Sequence, residues 1–208
     1  MTTKNELFIG ICGASASGKT TICDDLANYF DGDIQIISQD SYYLDRSHLT
    51  EDEVKRVNFD HPESIDINKL YSDVVTLKKN KIASIPQYCF KTHSILKDEI
   101  NLEIKKINII EGLYVLKSED LRNLFDLKVY IHADDDVRLV RRIIRDMEHR
   151  GRSLTSILDQ YISSVKPMND QFVVQQKNYA DSIIDTTVST DSLSGFESLV
   201  SDIKALVP

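Results

Sequence analysis

The sequence predicts an α/β fold in which a parallel five-stranded sheet is flanked by helices, with a small antiparallel β-hairpin outside that sheet. Three observations predict it. Short runs rich in Ile, Leu and Val alternate with segments of helical period, the pattern of strands joined by crossover helices. A turn crowded with small residues, GASASGKT at 13–20, directly follows the first apolar run. One segment, 82–106, breaks the alternation with two strand-like runs around a polar loop.

The elements follow in order along the chain. Leu7–Cys12 (LFIGIC) is a continuous apolar run bounded by glycine, as a strand covered on both faces should be. A helix is expected from near Gly18, then a second strand at Ile34–Ser38. Asp66 reads as the N-cap of the next helix. Residues 82–90 (IASIPQYCF) and 99–106 (EINLEIKK) read as the two arms of the hairpin. Ile107–Glu111 is the third strand of the sheet, and Ser118 reads as an N-cap with a plausible capping box. Leu127–His132 follows, then a helix from Asp134 and further helices near Ser153, Met168 and Ser194, with the last strand at Ser182–Asp185. No repeat, low-complexity tract or linker divides the 208 residues, so one domain spanning 1–208 is expected, with the hairpin at about 82–106 inserted in it.

Composition narrows the function classes. A formal net charge of −8 lacks the basic footprint of nucleic-acid and membrane-surface binders, so small-molecule partners are expected rather than either of those. Three cysteines (Cys12, Cys23, Cys89) fit neither a zinc site nor a disulfide framework. With no apolar stretch near the ~18 residues of a membrane span and no charged-then-apolar leader, they predict a reduced, cytoplasmic setting. The five histidines show no recurring ligand spacing, which disfavours a transition metal.

The segment Gly13-Ala14-Ser15-Ala16-Ser17-Gly18-Lys19-Thr20 matches G-x-x-x-x-G-K-[ST] without a gap and lies where the mechanism requires it, between a strand and a helix. The two glycines let the backbone curl so that N–H groups point inward, and the new helix adds the positive end of its dipole. Together with Thr21 the segment forms a candidate phosphate cradle for a nucleoside triphosphate. Lys19 would reach the β- and γ-phosphates, and the Thr20 hydroxyl would take a place on Mg²⁺. Further oxygen ligands should come from the carboxyl ends of neighbouring strands, where Asp40 and Glu111 stand. Acids at strand ends also cap turns, and that simpler role is open to both.

The stretches SQDSYY (38–43), NFDHPESID (58–66), PQYCFKTH (86–93), IIEGLYVL (109–116), RLVRRIIRDMEHRGR (138–152) and QYISSVKPMNDQFV (160–173) occur in the order and approximate spacing of the uridine kinases. On these motifs the chain resembles the uridine–cytidine kinase family, over most of its length. The resemblance implies a P-loop kinase-like fold with the hairpin over the substrate site and a lid at about 145–165. It implies transfer of the ATP γ-phosphate, with Mg²⁺, to the 5′-hydroxyl of uridine or cytidine, and the sequence leaves open whether GTP replaces ATP. It also implies a homo-oligomer, a tetramer in the family.

Residue by residue, the resemblance implies that Asp40 is the general base and that Asp60 grips the ribose hydroxyls jointly with Arg142. It implies that Tyr88 and His93 read the pyrimidine edge, and Phe59, Phe90 and Tyr43 could wall the base. Arg145 and Arg150 become lid residues near the phosphates, while Arg152 and Gln160 face the nucleoside. At helical spacing Arg138, Arg142, Arg145 and His149 share one face, although such a run is often only a solvated surface. Gly151 suits a hinge. Asp134, Asp135 and Asp136 at a helix start are read as complementing its dipole.

The chain departs from the family at Ile95, where an arginine is common, at Gln175, where a proline is common, and in the tail DTTVSTDSLSG at 185–195. Two rival expectations accompany the uridine reading: a P-loop kinase for another small alcohol, such as pantothenate or a sugar phosphate, and a non-catalytic nucleotide-binding regulator.

Overall fold

The computed structural model describes residues 6–188 and 193–207, and the remainder of the tail stretch at 189–192 lies outside the described residues. Five strands, β1 (Leu7–Gly13), β2 (Ile34–Ser38), β7 (Ile107–Gly112), β8 (Leu127–His132) and β9 (Ser182–Asp185), form one parallel sheet in the order β2-β7-β1-β8-β9. The order reverses on either side of β1, so the crevice outside its carboxyl end is the topological switch point of the sheet.

Alternation along β1 explains the layers. Leu7, Ile9 and Ile11 face α1 (Lys19–Tyr29) and α8 (Leu193–Leu206), packing with Ile22, Leu26, Leu199 and Ile203. Phe8 and Cys12 face the opposite side, with α3 (Ile67–Asn80) contributing Leu70, Val74 and Leu77 at helical spacing, and Phe125 and Leu121 completing that layer. Two core layers on the two faces of one sheet are the α/β architecture expected. Among the described residues no helix is long and apolar enough to cross a membrane.

Local chemistry sets the helix ends. The Asp66 carboxylate accepts from the Lys69 N–H at 2.9 Å, as its N-cap role requires. Ser118 caps α4 (Glu119–Arg122) by accepting from Leu121 N–H, but the expected capping box is absent there because the third helical residue is Leu121, which has no side-chain acceptor. A complete capping box does form at α2 (Glu51–Val54): Thr50 accepts from Glu53 N–H and Glu53 accepts from Thr50 N–H at 2.8 Å.

The hairpin differs from its expected form. Its arms pair only over β3 (Ile82–Ile85) and β6 (Ile100–Glu103). Beyond them Pro86, which has no N–H to donate, ends the first ladder. A second ladder of two residues a side, β4 (Tyr88–Cys89) with β5 (Ser94–Ile95), then forms the tip. The tip is fastened to the loop after β2, where Arg46 N–H donates to His93 O at 2.8 Å and Ile95 N–H to the Asp45 carboxylate at 3.1 Å.

Helix α5 (Asp135–Arg150) ends at Gly151, whose φ of 62° is left-handed. The chain then turns into α6 (Leu154–Gln160), which runs on through a π-turn at Tyr161–Val165, a short α7 (Lys166–Met168), a second π-turn at Asn169–Val173 and a 3₁₀ stretch at Val174–Tyr179. The helix expected near Met168 is therefore the middle of a longer rod. Both π-turns are single wide turns of the kind that accommodates an extra residue in a helix. Gln175 is exposed on this rod, while Gln176 is buried, donating to Leu113 O at 2.8 Å and accepting from Leu116 N–H at 3.0 Å.

Gly112, at the end of β7, is required by packing. A Cβ there would stand 2.3 Å from Oε1 and 2.4 Å from Cβ of the buried Gln39, whose Oε1 accepts from Tyr114 N–H. Gly112→Ala is expected to lower stability by about 1–3 kcal/mol through overpacking, a fall on the order of 2–10 °C in Tm for a chain of this size. A thermal melt checks it, and an unchanged midpoint contradicts the packing argument.

Candidate active site

The cradle at 13–20 grows directly from β1. Gly18 holds φ at 95°, a value open to glycine and strained for other residues, and this lets α1 start immediately afterwards. The Lys19 ammonium lies along the loop, donating to Gly13 O at 2.9 Å and Ala14 O at 3.0 Å. Thr20 and Thr21 are exposed on the first turn of α1. Behind the loop, Thr186 braces it from the end of β9: its buried hydroxyl stands 2.7 Å from Ser17 O and accepts from Arg141 Nη1 at 3.1 Å, while Arg141 Nη2 donates to Thr186 O at 2.6 Å.

Beside the cradle, the parallel register sets Ser38 of β2 opposite Glu111 of β7, and Ile11 of β1 opposite the same Glu111. The Ser38 hydroxyl donates to Glu111 at 2.5 Å and accepts from the N–H of Asp40 at 3.3 Å. Asp40 is the second residue of a 3₁₀ turn, Gln39–Tyr42, that follows β2. Although its side chain reaches cleft solvent, protein crowds it on most sides, and this desolvation pushes its carboxyl above the usual range against the charges of Lys19, Arg150 and Arg145. Glu111 is raised likewise, chiefly by burial and further by Asp40, with Lys19 and the Ser38 hydrogen bond opposing.

All of this opens into one cleft of about 1310 Å³, larger than the ~300–1,000 Å³ typical of a pocket for one small ligand. Lys19, Thr20, Thr21, Asp40 and Glu111 line one part of it. Asp60 lines another, with its carboxylate accepting from Ser164 Oγ at 2.7 Å and Gln160 Nε2 at 3.1 Å, and its carbonyl from the Tyr114 hydroxyl. Arg142 makes no direct bond to Asp60. Its Nη2 donates to Gln160 Oε1 at 2.9 Å, so the Gln160 amide bridges the two, while Nη1 donates to Ser15 Oγ in the cradle, also at 2.9 Å.

Aromatic rings close the far side. Phe59 and His93 stack with centroids 4.7 Å apart, and Tyr43 touches Phe59, Tyr88 and Phe90 at 6.2, 5.3 and 5.8 Å. Phe59, Tyr43, Phe90 and His93 line the cleft, whereas Tyr88 stands behind them against Tyr43 and Phe90. Two buried polar atoms here, the Tyr88 hydroxyl and His93 Nδ1, have no hydrogen-bond partner, an arrangement that costs free energy unless a ligand supplies one. His93 also holds φ at 50°, outside the usual range of a non-glycine residue. Ile95 is exposed on the outer side of this tip.

The arginine stripe divides. Arg138 and Arg142 are 4% and 5% exposed and lie inside, whereas His149, on the same face by spacing, lies in the exposed last turn at 147–150. Asp135 pairs with Arg138 and, at 3.0 Å, with Lys166, in keeping with a helix-start role for the acids at 134–136. The residue that sequence reasoning missed is Asp146. Its fully buried carboxylate lies 2.8 Å from Arg145, 3.4 Å from Arg152, 3.5 Å from Arg150 and 3.7 Å from Arg142. Burial alone would raise its pKa, but the Arg145 hydrogen bond and the surrounding guanidinium charges hold it below the usual carboxylate range. Spacing of four from both Arg142 and Arg150 was the signal that could have found it. Ser164 and Thr186 were missed as well, being single hydroxyls without a pattern.

The donor set fits a hard cation only in company. Among the described residues no group of three or more His, Cys, Asp or Glu side chains could hold a metal, while the Thr20 hydroxyl with the Asp40 and Glu111 carboxylates offers oxygen donors of the kind Mg²⁺ takes alongside phosphate and water.

The profile of the phosphoribulokinase/uridine kinase family matches residues 8–193. The uridine kinase of Clostridium novyi is 44% identical over 86% of this chain and 86% of its own length, and that of Brevibacillus brevis is 44% identical over 86% and 85%. Phosphoribulokinase from Rhodobacter spheroides shares the fold with a TM-score of 0.66 at 16% identity, over 87% of this chain and 70% of that one. The chain belongs to the phosphoribulokinase/uridine kinase family.

Thr186→Val removes the hydroxyl that braces the cradle while keeping its shape. Leaving Ser17 O and Arg141 short of a partner should cost about 1–3 kcal/mol of stability and weaken nucleotide binding. Melting and calorimetric titration with ATP check both effects, and wild-type values in each would show that the brace is idle.

Proposed function

We propose that this member of the phosphoribulokinase/uridine kinase family transfers the γ-phosphate of ATP to the 5′-hydroxyl of uridine, and of cytidine, giving UMP or CMP and ADP. The observation that supports it is a single cleft in which a phosphate cradle with its lysine, a carboxylate of raised pKa and an aromatic pocket with unpaired hydrogen-bonding atoms stand together. A cleft of this size has room for two ligands, as a transfer between them requires. The close relatives named as uridine kinases, each matched over most of its length, support the choice of acceptor.

In this reading the loop from Gly13 to Thr20 holds the triphosphate through its main-chain N–H groups, and Lys19 leaves its present carbonyl partners to reach the β- and γ-phosphates. Thr20, Asp40 and Glu111 would hold Mg²⁺, directly or through water, and the ion would supply neutralisation of phosphate charge. Asp40 accepts the 5′-hydroxyl proton as that oxygen bonds to the γ-phosphorus, and the bond from phosphorus to the β,γ-bridging oxygen breaks. Arg145 and Arg150 face the developing charge on the equatorial oxygens.

Asp60 takes the ribose hydroxyls, with Gln160, Arg142 and Arg152 bonded around it. Phe59 and His93, stacked on each other, form with Tyr43 and Phe90 the wall against which the flat base lies, and His93 Nδ1 is the unpaired group in the cleft lining that reads its edge, with Tyr88 supporting Tyr43 and Phe90 from behind. A pantothenate or sugar-phosphate acceptor would leave those rings and His93 Nδ1 without a task. GTP can replace ATP wherever only the phosphates are gripped, and the same assay with each donor measures that preference.

Four outcomes follow from these roles. In a coupled assay uridine and cytidine should turn over and pantothenate should not; turnover of pantothenate alone overturns the acceptor. Asp40→Asn should lower kcat on the order of 10²-fold or more while sparing ATP binding. An ordinary Asp ionises near pH ~4, and because desolvation raises Asp40, the acid limb of kcat/KM for uridine should lie above that value and vanish in Asp40→Asn. 2′-Deoxyuridine should lose on the order of 10²-fold in kcat/KM, since a carboxylate built to take a hydroxyl is left unpaired, and equal use of both nucleosides removes Asp60 from the ribose.

A further inference from the structure

Asp146 carries more than a structural ion pair, because its two carboxylate oxygens serve different halves of the cleft. Oδ1 accepts from Arg145 Nε at 2.9 Å and lies 3.5 Å from Arg150 Nη1, and these are the two lid guanidiniums whose charge is felt at Asp40. Oδ2 lies 3.4 Å from Arg152 Nη1 and 3.7 Å from Arg142 Nε. Those two arginines meet again on Gln160 Oε1, at 2.5 and 2.9 Å, and Gln160 Nε2 donates to Asp60. One oxygen is therefore tied to the phosphate half and the other, through two arginines and an amide, to the acceptor half, with Arg142 also donating to Ser15 Oγ of the cradle and so touching both.

The main chain of the same residue adds a second tie. Asp146 O accepts from the Gly151 N–H and from the Arg152 N–H at 3.1 Å, so it also fixes the turn that carries Arg150 and Arg152 back toward the cleft. Four guanidiniums around one carboxylate leave a surplus of positive charge, which repels itself unless an anion joins it. The triphosphate is such an anion. Its arrival would draw Arg145 and Arg150 forward, and Asp146 would pass that movement to Arg152, Arg142 and Gln160.

We propose that Asp146 is a positioning residue that couples the two substrate sites, so that a bound nucleoside triphosphate tightens the grip of Asp60 and Gln160 on the acceptor sugar. The inference rests on the nucleoside kinase reading above. Coupling of this kind is reciprocal, so the nucleoside must tighten the triphosphate by the same factor. It also confines the assembled lid arginines to the state in which both substrates are present.

The test is calorimetric titration of uridine into the full chain, with Mg²⁺, in the presence and absence of a non-hydrolysable ATP analogue. Wild type should bind uridine at least tenfold tighter with the analogue. In Asp146→Asn the two affinities should fall within about twofold of each other, and Asp146→Glu, which keeps the charge on a longer stem, should give an intermediate ratio. A purely structural role would lower the number of sites titrated and leave the ratio alone. Where Asp146→Asn fails to fold by circular dichroism, the glutamate variant decides: an intermediate ratio supports the coupling and a wild-type ratio overturns it. A ratio near one in the wild type, or an undiminished ratio in a folded Asp146→Asn, also overturns it. Absence of uridine binding to the wild type with or without the analogue overturns the nucleoside reading instead.

Discussion

The parallel register of β2, β7 and β1 is the constraint on which the site depends. Because Ser38 and Ile11 both stand opposite Glu111, the chain leaves all three strands at one edge, and the residues that follow them are delivered to a single point. Gly13 and the cradle come from β1, Asp40 from the turn after β2, and Glu111 with Gly112 from β7 itself. A slip of one residue would turn Glu111 into the core and expose an isoleucine in its place. Side chains along each strand alternate between the two apolar layers, so the core that stabilises the sheet also aims the residues at the strand ends.

The cleft inverts the charge of the chain. A protein with formal net charge −8 gathers Lys19, Arg141, Arg142, Arg145, Arg150 and Arg152 around one opening. Guanidiniums at such density repel each other, and the structure answers with one fully buried carboxylate that touches four of them. The surplus suits a polyanion. The acids inside the cleft are treated differently: Asp40 and Glu111 are crowded by protein, and this desolvation raises both carboxyls above their usual range against the pull of Lys19.

The hairpin shows how a local rule shapes a binding surface. Pro86 interrupts pairing, the chain twists, and a separate two-residue ladder presents Tyr88, Phe90 and His93 against Tyr43 and Phe59 from elsewhere in the chain. An unbroken pair of strands would have run on as an edge ribbon. The tip instead hooks onto the loop after β2 through Asp45 and Arg46, which ties the aromatic wall to the same segment that carries Asp40.

What the sequence determined by itself was whatever depends on near neighbours. The five strands, the cradle between Gly13 and Gly18, and the caps at Asp66 and Ser118 follow from periodicity and from the conformations open to glycine and to small polar side chains. The motif order legible along the chain also pointed to the family. Tertiary structure alone decided the single long rod from Leu154 to Tyr179, the brace from Thr186 to Ser17, and the place of Asp146 among four arginines. These depend on residues brought together by chain reversals, such as Arg152 with Gln160 and Gln160 with Asp60 a hundred positions away. No local period encodes such meetings, because a single buried carboxylate or hydroxyl acquires its partners only when the layers have packed.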